Sequence, residues 1–122
     1  AGGVIAALAA QGMVIPVGGQ DGDLAALNRV ARGSQTVSVW KDSRQLGKAA
    51  GEIASALAAG TAMDAIAGAS TFNGGAKGVE MNAILLAPTP VTKGNLSVAI
   101  NAGHISKAQA CEGAMAGVDG CN

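Results

Sequence analysis

A chain of 122 residues has room for one modest domain and can bury about two thirds of its unfolded surface. Its apolar residues, 49% of the total, are chiefly Ala, Val, Ile and Leu with one Phe, one Trp and no Tyr, so a globular fold around a thin core is expected. Eight basic residues balance eight acidic ones without a basic cluster or an aromatic ladder, which excludes the footprint of a nucleic-acid binder, and the longest apolar runs, such as residues 83–87, are far too short to cross a bilayer as a helix.

The opening AGGVIAALAAQG reads as a helix already under way, with no N-cap residue before it, Val4, Ile5 and Leu8 as its apolar positions and Gly12 at its end. Ala1 is not an initiator Met and no signal sequence follows, so an excised, nicked or truncated C-terminal piece is expected; a processed leader before Ala1 is the alternative. Residues 13–17 form a brief apolar run before Gly18 and Gly19, the pattern of a buried parallel strand and a tight turn. Asp23 is placed to cap the next helix, whose Leu24, Leu27 and Val30 repeat at three-residue spacing before Gly33. Residues 36–40 alternate and are rich in β-branched side chains, which predicts a second strand. Ser43 can cap a following helix, on which Leu46, Ala50, Ile53 and Leu57 form an apolar stripe up to Gly60.

The Gly/Ala/Ser stretch at residues 65–78 is expected to be a loop or a nicking site, with a turn at Asn73-Gly74-Gly75. Residues 83–87 read as a strand stopped by Pro88 and Pro90. The tail holds a polar turn at residues 93–95, a short apolar run at 98–100, and CEGAMAGVDGC. Helices alternating with strands predict an α/β architecture.

On this reading Asp21 closes the first strand and Lys41 closes the second, and in an open α/β sheet both ends lie on the carboxyl edge, where ligands bind. A carboxylate accepts two hydrogen bonds at once and so suits neighbouring sugar hydroxyls, while a lysine opposite supplies donors. From spacing alone, a turn aspartate and a solvated lysine remain the simpler reading. VGGQDGD lacks the lysine and hydroxyl of a phosphate-binding loop and the further oxygen ligands of a calcium loop. His104, the one histidine, has no metal-ligand spacing around it and reads as a surface or loop residue; no hydrolase triad is visible. Trp40, next to Lys41, points to the other strand face and is expected to pack in a lobe interface, with stacking on a sugar as the alternative. Cys111 and Cys121 are read as a small disulfide loop in an exported protein, worth about 2 to 3 kcal/mol, with two free thiols as the alternative. Asn95-Leu96-Ser97 matches a glycosylation sequon, to which no role is assigned.

GQDGDLAALNRVARGSQTVSVWK resembles the corresponding stretch of the periplasmic sugar-binding proteins of bacterial ABC transporters, and their xylose-binding branch in particular. AGGVIAALAAQG resembles the helix before the GQD loop, and NGGAKGVEMNAILLAPTPVTKGNL resembles the family's late hairpin and hinge-crossing segment. The similarity covers nearly the whole chain and is weakest at CEGAMAGVDGC.

The resemblance implies the type I periplasmic-binding-protein fold, with two α/β lobes of parallel sheets flanked by helices and three chain crossings at the hinge. Residues 1–41 would lie in the second, C-terminal lobe and residues 42–87 in the first, while residues 88–122 would cross the hinge and return to the second. It implies Asp21 as an acceptor for sugar hydroxyls and Lys41 as a sugar contact at the inter-lobe crossing. The family's other ligand residues, its aromatic stacking groups included, would lie before Ala1.

The function implied is capture of a monosaccharide, D-xylose, and delivery to an ABC permease, in the periplasm or outside the cell, with a lipid anchor on the missing N-terminal part as one way of holding it there. It implies no catalytic residue, cofactor or metal. A sugar-sensing effector domain of a regulator or sensor is the alternative, and an α/β enzyme with Asp21 as base is a third class without a visible second catalytic group. Such a fragment would leave sheet edges and apolar helix faces uncovered, so it is expected to need the missing N-terminal part to fold stably and bind.

Overall fold

Along the chain the elements run α1 (Gly2–Ala10), β1 (Gly18–Gln20), α2 (Leu24–Ala31), β2 (Val37–Trp40), α3 (Ser43–Ala58), a 3-10 turn (Met63–Ala65), β3 (Ser70–Phe72), β4 (Met81–Ala83), β5 (Thr89–Val91), α4 (Ser97–Asn101) and α5 (Lys107–Ala110). The computed structural model describes residues 1–122, which divide into two units: Ala1–Asp42 with Pro88–Asn122, and Ser43–Ala87.

The first unit is built on a three-stranded sheet in the order β1-β2-β5. β1 runs parallel to β2, with Gly18 opposite Val37 and Gln20 opposite Val39, and β5 runs antiparallel to β2, with Val91 opposite Ser38 and Thr89 opposite Trp40. The first strand therefore starts later than the apolar run at residues 13–17 predicts. Pairing with β2 begins only where Thr36 N donates to Val17 O at 2.9 Å, Pro16 has no N–H to offer, and Val14 is left 99% exposed. Residues 84–87 likewise lie outside the strands, and Pro90 sits inside β5 instead of stopping a strand before it. An edge strand tolerates a missing donor.

α2 starts as its sequence predicts. Asp23 takes an extended conformation and its carboxylate accepts from Ala26 N at 2.8 Å. The helix buries Ala26, Leu27, Val30 and Ala31. The core gathers Leu27, Ala31, Trp40, Val91, Leu96, Ala99, Ala110 and Val118, with Cys111 and Cys121 packed against it.

Polar contacts hold the tail onto this core. Asn28 Nδ2 donates to Ala110 O at 3.1 Å and to Glu112 O at 2.8 Å, tying α2 to the end of α5. Asn95 closes a turn ahead of buried Leu96: its Oδ1 accepts from Thr92 N at 2.7 Å and its Nδ2 donates to Pro90 O at 3.0 Å. Cys111 and Cys121 form a disulfide with a Cα separation of 5.4 Å. Asp119 Oδ2 accepts from Ser97 N at 3.0 Å, at the start of α4.

The second unit carries α3 and the antiparallel hairpin β3–β4, in which Ser70 faces Ala83 and Phe72 faces Met81. The stretch expected as a loop at residues 65–78 thus contains a strand. Ser43, expected as a cap, is already the first residue of α3. No residue of this unit is buried, and Leu46, Leu57, Met63, Phe72, Val79, Met81, Leu85 and Leu86 are all exposed. The apolar stripe of α3 is present but nothing in the unit closes over it.

Two measurements follow from this uneven packing. In amide hydrogen exchange of the chain, the amides of α2 and β2 are expected to be protected while those of residues 43–87 exchange close to the unfolded rate, because they sit over no core. Equal protection in the two units contradicts this. The hydrogen bonds from the Ser97 side chain and backbone hold the Asp119 carboxyl below its ordinary value. A lowered folded-state pKa adds stability that is full above the unfolded value, about pH 4, and is lost as pH falls through the folded value. Asp119→Asn should therefore be less stable than wild type at neutral pH, with the gap closing below about pH 4. A gap that stays constant in acid unfolding contradicts the contact.

Candidate functional site

β1 and β2 are parallel and in register, so they end side by side. Asp21 N still donates to Val39 O at 2.8 Å, and the chain then turns through Asp21 (φ 78°) and Gly22 (φ 68°). Asp21 is the one non-glycine residue of the chain with positive φ. That backbone costs about 1 kcal/mol or more for a residue with a side chain, and such strain collects at functional positions.

The turn leaves Asp21 Oδ1 at 2.9 Å from Nζ of Lys41, the first residue after β2. The sheet thus brings together the two residues singled out by their strand-end positions. The Lys41 and Asp21 side chains are 43% and 69% exposed. An ion pair this open contributes at most about 1 kcal/mol to stability. Each group keeps hydrogen-bonding capacity beyond the pair: the carboxylate has further lone pairs, the ammonium further protons. Acceptor and donor side by side, in water, suit a neutral polyhydroxylated molecule. The chain leaves the unit one residue later, at Asp42, and returns at Pro88, beside Thr89, which is opposite Trp40, so both connections lie at this same edge.

Beneath the turn lies Trp40, 5% exposed and part of the core of the first unit. It is packed within that unit, where a lobe-interface role was expected. Its indole fills the space beside Gly22 so closely that a Cβ there would sit 2.7 Å from Trp40 Cδ1. Only glycine serves at this position, both for φ and for room. Gly22 N donates to the Oγ of fully buried Ser38 at 3.2 Å. His104 is half-buried: its Nε2 is 2.9 Å from Gly22 O and its ring lies 5.0 Å from that of Trp40, tilted by 36°. Trp40 Nε1 is buried without a hydrogen-bond partner. The glycines of VGGQDGD read as a sharp backbone turn, as Gly22 makes, but the parts of Ser38 and His104 carried no signal in the sequence, since the contact of His104 with Gly22 spans 82 positions.

Elsewhere in the first unit a groove of about 470 Å³ lies between α1, residues 13–17 and residues 33–36. Its lining includes Ile5, Leu8, Met13 and Val14 and no charged side chain. It offers mainly apolar packing surface, with Ser34 and Thr36 as its hydroxyl side chains.

Parallel strands flanked by helices, with a polar pair at their carboxyl ends, place the chain in the α/β class whose ligands bind at that edge. It is related by sequence to the D-xylose-binding periplasmic protein of Haemophilus influenzae, with 42% identity over 99 residues, or 80% of the chain. The protein of the same name in Escherichia coli is 42% identical over 98 residues, or 79% of the chain. The chain spans 28% of the length of each of these curated relatives. No protein-family model matches it.

The strain at Asp21 separates a ligand contact from a structural one. In the full gene product that carries the chain, Asp21→Gly is expected to leave unfolding unchanged or to stabilise it by up to about 1 kcal/mol, since the exposed pair contributes little and the left-handed backbone is relieved. Loss of more than about 1 kcal/mol in a denaturant melt would mark Asp21 as a structural residue.

Proposed function

We propose that the chain is part of a longer solute-binding protein, its C-terminal part on the resemblance above, that captures a monosaccharide between two α/β lobes without catalysing a reaction. The observation that carries this reading is the exposed Asp21–Lys41 pair at the ends of adjacent parallel strands, in a chain with 42% identity to proteins named for D-xylose binding. D-xylose is the sugar proposed. Asp21 accepts from sugar hydroxyls and Lys41 donates to a hydroxyl or the ring oxygen.

In this reading residues 1–41 belong to the second lobe and residues 42–87 to the first, with residues 88–122 crossing the hinge back to the second. The remaining polypeptide supplies the other sugar contacts and covers the apolar groove beside α1 and the exposed face of α3. Sugar bridges the lobes only when they close, so binding shifts the population toward the closed form, which docks on an ABC permease at the membrane. The site of action is the periplasm. The names of the relatives, which are those of binding proteins, support a non-catalytic role.

Titration calorimetry tests this on the full gene product that carries the chain. D-xylose is expected to bind, and Asp21→Ala to weaken it by about 2 to 5 kcal/mol, because sugar hydroxyls lose a charged partner in a desolvated cleft. A loss below tenfold contradicts the role given to Asp21. Micromolar D-xylose binding and a cooperative melt by residues 1–122 alone would contradict the need for the remaining polypeptide.

A further inference from the structure

His104 stands just past the end of α4. Gly103, with φ 68°, donates its amide to Ile100 O at 2.8 Å, and His104 donates its own to Ala99 O at 3.0 Å. A helix end closed by these two bonds fixes the direction of the chain that leaves it. The imidazole is thereby delivered onto Trp40, with ring centroids 5.0 Å apart, and its Nε2 reaches Gly22 O at 2.9 Å. A carbonyl oxygen only accepts, so Nε2 carries the hydrogen and donates.

Gly22 is buried and gripped from two sides. Its amide donates to Ser38 Oγ from the β2 side and its carbonyl accepts from His104 on the tail. The residue immediately before it is Asp21, in a left-handed conformation that a side chain disfavours. The carboxylate stays beside Lys41 only while that backbone is held, and the Asp21 amide, which donates to Val39 O at 2.8 Å, fixes it from the β2 side alone.

We propose that His104 is a positioning residue of the sugar site. By donating to Gly22 O it holds the left-handed Asp21–Gly22 turn, and so keeps the Asp21 carboxylate beside Lys41 Nζ, a role that rests on the sugar-binding reading of that pair. The tail of the chain thus sets the aim of a residue 83 positions before it. Neutral imidazole protonated at Nε2 and imidazolium both donate from this atom, so the grip survives protonation.

Two variants separate the donor from the ring. His104→Phe keeps an aromatic group against Trp40 and removes the donor, whereas His104→Gln can present an amide N–H toward Gly22 O. In the full gene product, with D-xylose as the probe, His104→Phe is expected to weaken binding about five- to tenfold, the net worth of one hydrogen bond, while His104→Gln stays within about twofold of wild type. Amide hydrogen exchange at Asp21 and Gly22 is expected to quicken about five- to tenfold in His104→Phe and to recover in His104→Gln. Wild-type affinity in His104→Phe, or equal losses in both variants, overturns the proposal. Should wild type fail to bind D-xylose, the sugar reading falls, and the exchange rates decide the grip on their own: quickened in His104→Phe and restored in His104→Gln they uphold it, and unchanged in both they overturn it.

Discussion

The contact between the Trp40 indole and the bare Cα of Gly22 is the constraint on which the rest of the site depends. Trp40 is the largest side chain in the core of the first unit, where it lies among Leu27, Val91, Leu96 and Val118. A buried aromatic of this size supplies much of the apolar area that an alanine- and glycine-rich chain otherwise lacks. Because its ring occupies the space where a side chain at position 22 would stand, the turn after β1 can pass close over it only as glycine. That close passage puts Gly22 N on Ser38 Oγ and Gly22 O within reach of His104. The preceding residue, Asp21, is then left strained and exposed beside Lys41. Core packing and the geometry of the Asp21–Lys41 pair are thus two consequences of one contact.

The two units differ in how they meet the entropy of folding. In the first, two strands, a well-capped helix and a disulfide-closed tail converge on one core. In the second, a 16-residue helix and a short hairpin bury nothing completely, while large apolar side chains such as Leu85, 71% exposed, face outward. A two-stranded hairpin is marginal in water without a face to pack on. Such surface is expected where further polypeptide closes over it, as it would in a protein of the relatives' length. The apolar groove beside α1 has the same character.

Local chemistry made much of this legible in the sequence. Asp23 stands one residue before an apolar period, so its capping role needs no tertiary information, and the period of Leu24, Leu27 and Val30 fixes α2. The strand-end positions of Asp21 and Lys41 follow from where glycine and β-branched residues fall, and the register of β1 on β2 turns those positions into a 2.9 Å contact. What the sequence hid was set by partners far along the chain. Residues 13–17 are as apolar as a buried strand, yet they precede the point where β2 offers hydrogen bonds. Pro90 reads as a stop, and the edge position that tolerates it is a property of sheet order. His104 reads as a loop residue and lies in one, between α4 and α5; what the sequence does not show is its contact with Gly22, 82 positions away.

The most direct measurement is a crystal structure of the full gene product grown with D-xylose. Sugar hydroxyls are predicted to lie about 2.6 to 3.2 Å from the Asp21 carboxylate and from Lys41 Nζ, at the carboxyl edge of β1 and β2. Sugar bound with neither residue in contact, or ordered only in the apolar groove beside α1, would contradict the assignment of this edge as the site.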